Sequence, residues 1–148
     1  RCSGQLPIVR GDQTKLSQAV SNIVSNAIKF TPAGGKVSIA VANLGRTKVV
    51  IQVRDSGVGM SDDEINVALT PFGQVDGSHT RWREGTGLGL PIARALIELH
   101  GGSLEIKSVK SEGTEVCITL PSGNTVNAVS DANRDFVAPD AISGASLG

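Results

Sequence analysis

The 148-residue chain has no surplus of either charge: 14 Lys and Arg stand against 14 Asp and Glu, for a formal net charge of zero. That balance excludes broad electrostatic binding to nucleic acid or an acidic membrane and leaves room only for local patches. Cysteine is scarce. Cys2 and Cys117 have no CxxC or Cys/His spacing, so neither a zinc knuckle nor a disulfide framework is expected, and a reducing, cytosolic setting is. No apolar run approaches the roughly 18 residues of a membrane span, and no signal peptide is visible at the N-terminus. The length fits one domain with its own core. What the chain has in excess is glycine, 18 residues, or about 12% against an average near 7%. They follow no period, which excludes collagen and linker readings. They must serve turns, or places where backbone comes close to a ligand.

Residues 6–10 read as a short strand closed by Gly11-Asp12. Asp12 is a suitable N-cap for a helix running to about Phe30. Leu16, Ala19, Val20, Ile23, Val24, Ala27 and Ile28 follow the i, i+3, i+4, i+7 pattern of one buried face. Thr31-Pro32-Ala33-Gly34-Gly35 ends that helix. The alternating runs Lys36–Ala42 and Thr47–Arg54 predict an antiparallel hairpin. Ser61-Asp62-Asp63-Glu64 predicts a capping box and a short helix to about Leu69. Residues 70–87 form a long loop, and Leu88 to His100 form a helix with Pro91 in its first turn and Gly101-Gly102 as its stop. Strands at 103–109 and 114–120 make a last hairpin. Beyond Pro121 the small, polar composition predicts a flexible C-terminal tail or linker over 122–148. The mixed element order predicts an α/β fold, a two-layer α/β sandwich with helices on one sheet face.

Three clusters could carry chemistry. In the first, Asn22, Asn26 and Lys29 project from neighbouring turns of one helix flank. An amide oxygen there can ligate a hard cation and an ammonium can meet phosphate, although a solvated polar face would look the same. The second, Asp55-Ser56-Gly57-Val58-Gly59-Met60, follows a strand. Its carboxylate can accept from an exocyclic amine while the glycines admit a flat ring, and it is equally a routine turn. The third, Gly85-Thr86-Gly87-Leu88-Gly89-Leu90, leads into a helix, where glycine-turn amides and a helix N-terminus suit phosphate anions. It is neither a P-loop nor a Rossmann fingerprint.

The three occur in order, 29 residues from Asn26 to Asp55 and 30 from Asp55 to Gly85. With Pro71-Phe72-Gly73-Gln74 between them, they resemble the N, G1, F and G2 boxes of the ATP-binding catalytic domain of sensor histidine kinases. That domain lies within the wider GHKL ATPase superfamily. The likeness covers about residues 7–121 and implies a Bergerat-type ATP-binding fold with a mixed, mainly antiparallel sheet. It places a catalytic domain at 1–121.

By that resemblance Asn26 would ligate the Mg²⁺ that bridges the ATP phosphates, with Asn22 supporting it. Lys29 would contact phosphate and, with Asn26, serve the transfer itself, while Phe30 would lie along the nucleotide. Asp55 would receive the adenine amine, Gly57 and Gly59 would keep its pocket open, and Thr114 would border adenine. Residues 73–87 would form an ATP lid hinged on Gly85, Gly87 and Gly89, with the amides of the Thr86 and Leu88 region approaching the phosphates and Phe72 anchoring its base. Arg81 and Arg83 in that lid could reach the γ-phosphate, although a solvated role is favoured, and Trp82 is undecided. Leu69 departs from the aromatic residue that many relatives carry at the start of the F box.

The implied reaction is transfer of the ATP γ-phosphoryl group to a histidine. Neither His79, in the lid, nor His100, at a helix C-terminus, suits the acceptor role. A separate helical-hairpin phosphoacceptor domain and a downstream response regulator are therefore the expected partners. The chain reads as a catalytic domain cut from a longer protein, monomeric by itself, cytoplasmic, with no nucleic-acid or direct membrane contact, and with a parent that could be membrane-attached. Two alternatives are a GHKL ATP hydrolase and a nucleotide-binding pseudokinase module acting as a protein-interaction domain. The hydrolases place a Glu four residues before the Mg-binding Asn to activate water. Here that position is Asn22, which cannot act as a general base near neutral pH.

Overall fold

The computed structural model describes residues 7–72 and 87–123. Helix α1 (Gln13–Phe30) begins where Asp12 accepts a hydrogen bond from the Lys15 amide at 3.0 Å. It ends where the Thr31 hydroxyl donates back to the Ala27 carbonyl at 2.6 Å. Strands β1 (Val37–Leu44) and β2 (Lys48–Asp55) form the expected hairpin. Helix α2 (Asp62–Ala68) carries the full capping box, Ser61 and Glu64 each bonding the other's backbone amide. Helix α3 (Gly89–Leu99) and the hairpin of β3 (Ser103–Val109) and β4 (Gly113–Pro121) complete the unit.

The sheet order is β1-β2-β4-β3, with every pairing antiparallel. Val53, Val116 and Ile106 stand in register across three strands, as do Ile51, Ile118 and Leu104. Residues directly opposite share a face, and this face meets Ala19, Ile23 and Ala27 of α1 and Ala93 and Ile97 of α3. The opposite face carries Gln52, Arg54, Glu115, Glu105 and Lys107, so the fold is a two-layer sandwich, hydrophobic inward and polar outward.

Several expectations shift. The strand over 6–10 reduces to one bridge, Val9 to Ser122, beside a bond from the Gly123 amide to the Ile8 carbonyl. Ser122 is 7% exposed and also donates its amide to the Thr47 carbonyl, so Ser122 and Gly123 pack with the described fold. The apolar stripe of α1 is narrower than its pattern suggests. Ile28 is 61% exposed, because α3 and the sheet meet the Ala19–Ile23–Ala27 line and not its far edge. Ile39 and Val41 point to the helical side but stay exposed, since β1 is an edge strand lying beyond the helices.

Candidate functional site

The polar flank of α1 and the start of α3 come together. Asn22 Nδ2 donates to the Gly89 carbonyl at 3.3 Å, across 67 residues of sequence. A Cβ placed on Gly89 would lie 3.7 Å from Asn26 Nδ2 and 3.9 Å from Asn26 Oδ1. Gly89, from the third cluster, therefore lies on the first. Gly87 takes a left-handed φ of 68°, turning the chain into α3, whose N-cap is Leu88. A leucine side chain has no acceptor for the first helical amides, which leaves that end suited to an external anion. Lys29, one turn beyond Asn26, holds its ammonium 5.5 Å from the ring centre of Phe30. Gly85 and Thr86 lie outside the described residues, as do Gly73, Gln74, His79, Arg81, Trp82 and Arg83.

The donor set fits a hard divalent cation. Asn22 and Asn26 each present an amide oxygen on one flank, and Mg²⁺ holds few protein ligands while keeping water and phosphate oxygens. Among the described residues no group of three His, Cys, Asp or Glu side chains could hold a metal.

The second cluster lies at the C-terminal end of β2. Asp55 Oδ1 accepts from the Gly57 amide at 2.8 Å and from the Thr114 amide at 3.2 Å. Burial raises its carboxyl above the ordinary 3.8, and the two backbone amides pull it partly back. The glycines here have a use their sequence does not announce. A Cβ on Gly57 would meet the Phe30 carbonyl oxygen at 2.4 Å, and one on Gly59 would meet the Val109 carbonyl oxygen at 1.8 Å. The 56–60 loop is thus clamped between the end of α1 and the tip of the β3–β4 hairpin. Val58 donates to the Phe30 carbonyl, and Ser111 donates to the Val58 carbonyl. The space beside both glycines is filled by protein backbone.

Thr114 stands opposite Asp55 in the sheet, with Ser108 opposite Thr114 on its other side. Ser108 was not among the sequence candidates. The one signal for it is the hairpin register, which places it across from Thr114. Phe72 is 74% exposed with φ 60°, and the lid it is expected to anchor lies outside the described residues. His100 caps α3 with both ring nitrogens engaged, by the Asp12 amide at 3.0 Å and the Leu96 carbonyl at 2.6 Å.

At one end of the sandwich, then, are two side-chain amides beside a helix N-terminus and a half-buried carboxylate. Residues 11–124 match the family model described as histidine kinase-, DNA gyrase B- and HSP90-like ATPase. An uncharacterised sensor-like histidine kinase of Rhizobium meliloti (strain 1021) is 40% identical over 114 residues, 77% of this chain and 22% of that protein. The mycobacterial sensor histidine kinase MprB aligns with a TM-score of 0.67 at 29% identity, over 77% of this chain and 74% of that one. Full-length ShkA in complex with AMPPNP aligns with a TM-score of 0.67 at 30% identity, over 79% of this chain and 23% of that one. The chain spans about a fifth of the length of the curated relative.

Proposed function

The chain belongs to the histidine kinase-, DNA gyrase B- and HSP90-like ATPase family, and on that premise we propose that it binds Mg-ATP and transfers the γ-phosphoryl group to a histidine on a separate helical-hairpin domain. The observation that carries the reading is the seating of Gly89 on the Asn22–Asn26 flank, which joins two side-chain amides to a helix N-terminus. ATP requires that combination, because its phosphates bring both a bridging cation and surplus negative charge.

The proposed roles are those the family resemblance implies. Asn26, with Asn22 beside it, would hold Mg²⁺, which when bound neutralises charge on the phosphate oxygens. Lys29 and the first amides of α3 would meet the phosphates. Phe30 would lie along the nucleotide, and Asp55 would accept from the adenine amine with Thr114 bordering the ring. Gly85 and Thr86 retain their proposed place in the phosphate loop with Gly87, Leu88 and Gly89. In the transfer the bond from the γ-phosphorus to the β,γ-bridging oxygen breaks, a bond to an imidazole nitrogen forms, and ADP leaves. Positioning and charge stabilisation carry such a step.

The acceptor is proposed to lie outside residues 7–72 and 87–123, because His100 has both nitrogens bonded. A response regulator receiver domain would take the phosphoryl group next, in a cytoplasmic two-component pathway. No described helix is long and apolar enough to cross a membrane. The test supplies Mg-ATP and a cognate helical-hairpin segment and looks for acid-labile, base-stable phosphate on its histidine. Transfer that Asn26→Ala abolishes is expected. Absence of transfer despite tight ATP binding would favour the pseudokinase reading.

A further inference from the structure

Ser108, Thr114 and Asp55 form a row on one face of three adjacent strands. Ser108 Oγ accepts from the Met60 amide at 2.7 Å, donates to the Gly113 carbonyl at 3.0 Å, and lies 2.8 Å from Thr114 Oγ1. A serine hydroxyl has one proton and two lone pairs. The Met60 amide can only donate and the Gly113 carbonyl can only accept, so the Ser108 proton is committed to Gly113. With the Met60 and Gly113 bonds both made, the contact with Thr114 is made by the proton of Thr114. With that proton spent, the Thr114 hydroxyl offers a ligand only lone pairs. The neighbouring Asp55 carboxylate, when ionised, also only accepts.

We infer that Ser108 is a positioning residue that sets the hydrogen-bond polarity of the base pocket. By consuming the Thr114 proton it keeps the pocket lined with acceptors. Where these acceptors face the exocyclic position, an amine there is thereby favoured over a carbonyl. This rests on the nucleotide site proposed above and adds to it the residue that governs base selection without touching the base. Without the Ser108 oxygen, the Thr114 hydroxyl turns freely and can donate to a carbonyl.

The test measures calorimetric affinities of the whole chain for Mg-ATP and Mg-ITP, the second carrying a carbonyl where adenine has its amine. The native chain is expected to prefer ATP. Ser108→Ala should narrow the ATP/ITP ratio by roughly three- to tenfold, the range of one neutral hydrogen bond, while Ser108→Thr, which keeps the hydroxyl, should hold the native ratio. If Ser108→Ala fails to fold by circular dichroism, Ser108→Cys, a much poorer acceptor, is read in its place with the same expectation. A serine that merely braces the 56–60 loop would weaken both nucleotides equally. An unchanged ratio, or a ratio that narrows as much in Ser108→Thr, overturns the inference. Failure of the native chain to bind either nucleotide would instead defeat the site assignment itself.

Discussion

Asp55 holds two backbone amides on one oxygen and sits half-buried at the end of a strand, so its charge is disfavoured by burial yet needed by an amine. The two demands give opposite pH signs. With its carboxyl raised in the fold, the ionised form costs stability, so the unliganded protein should lose stability as pH rises through that raised value and regain it on acidification. Binding of an amine donor requires the carboxylate. Mg-ATP affinity should therefore fall as pH drops below the raised value, approaching roughly tenfold per unit. Asp55→Asn should flatten that dependence, leaving only the titration of the nucleotide, and should weaken binding at neutral pH by about 1.5–3 kcal/mol. Calorimetry across pH with both proteins checks this. Gly59 supplies a second residue-scale prediction. Its φ of 65° and a Cβ position 1.8 Å from the Val109 carbonyl oxygen mean that Gly59→Ala should cost at least ~2 kcal/mol in denaturant melts. It should do so with or without nucleotide, because the clash is with protein backbone.

The elements were legible where their signals were local. Asp12, the Ser61–Glu64 box and the alternating runs placed α1, α2 and both hairpins close to their observed bounds. What escaped depended on neighbours distant in sequence. The outer edge of the α1 stripe is exposed because, among the described residues, no element packs over Ile28, and periodicity cannot reveal where a partner stops. Ser108 escaped because only strand register brings it to Thr114. Gly57 and Gly59 are similar: the sequence marks positions that need no Cβ, but only the fold shows that the Phe30 and Val109 carbonyls lie beside them. His100 shows the same limit. It reads as a helix cap, yet its ring ties the end of α3 to the start of α1, donating to the Leu96 carbonyl through Nδ1 and accepting the Asp12 amide at Nε2. His100→Ala should lower stability by about 1–3 kcal/mol. In a domain of this size each kcal/mol is worth roughly 3–5 °C in melting temperature. A thermal melt checks it, and an unchanged midpoint would show that the tie carries no net stability.

For the molecule as a whole, the contacts of Ser122 and Gly123 and the position of Asn22 lead to separate tests. The Val9–Ser122 bridge and the Gly123-to-Ile8 bond close the unit. A chain ending after Gly123 should therefore keep its stability within about 0.5 kcal/mol and bind Mg-ATP as the longer chain does. Hydrolysis is the sharper test, because it separates the two chemistries that this family performs. Water attack needs a base near the γ-phosphate, and α1 contains no Asp or Glu. Asn22, at the position where hydrolytic relatives are expected to carry Glu, has its amide nitrogen on the Gly89 carbonyl, and an amide does not take up a proton near neutral pH. Asp55 is the carboxylate of the proposed site, and it is assigned to the adenine end. The isolated chain should accordingly hydrolyse ATP orders of magnitude more slowly than the ~10 s⁻¹ typical of enzymes. Asn22→Glu is the direct probe of that deficit and should raise phosphate release measurably while reducing transfer to a histidine acceptor. Rapid multiple-turnover hydrolysis by the native chain, abolished by Asn26→Ala, would make it a hydrolase and end the phosphotransfer reading.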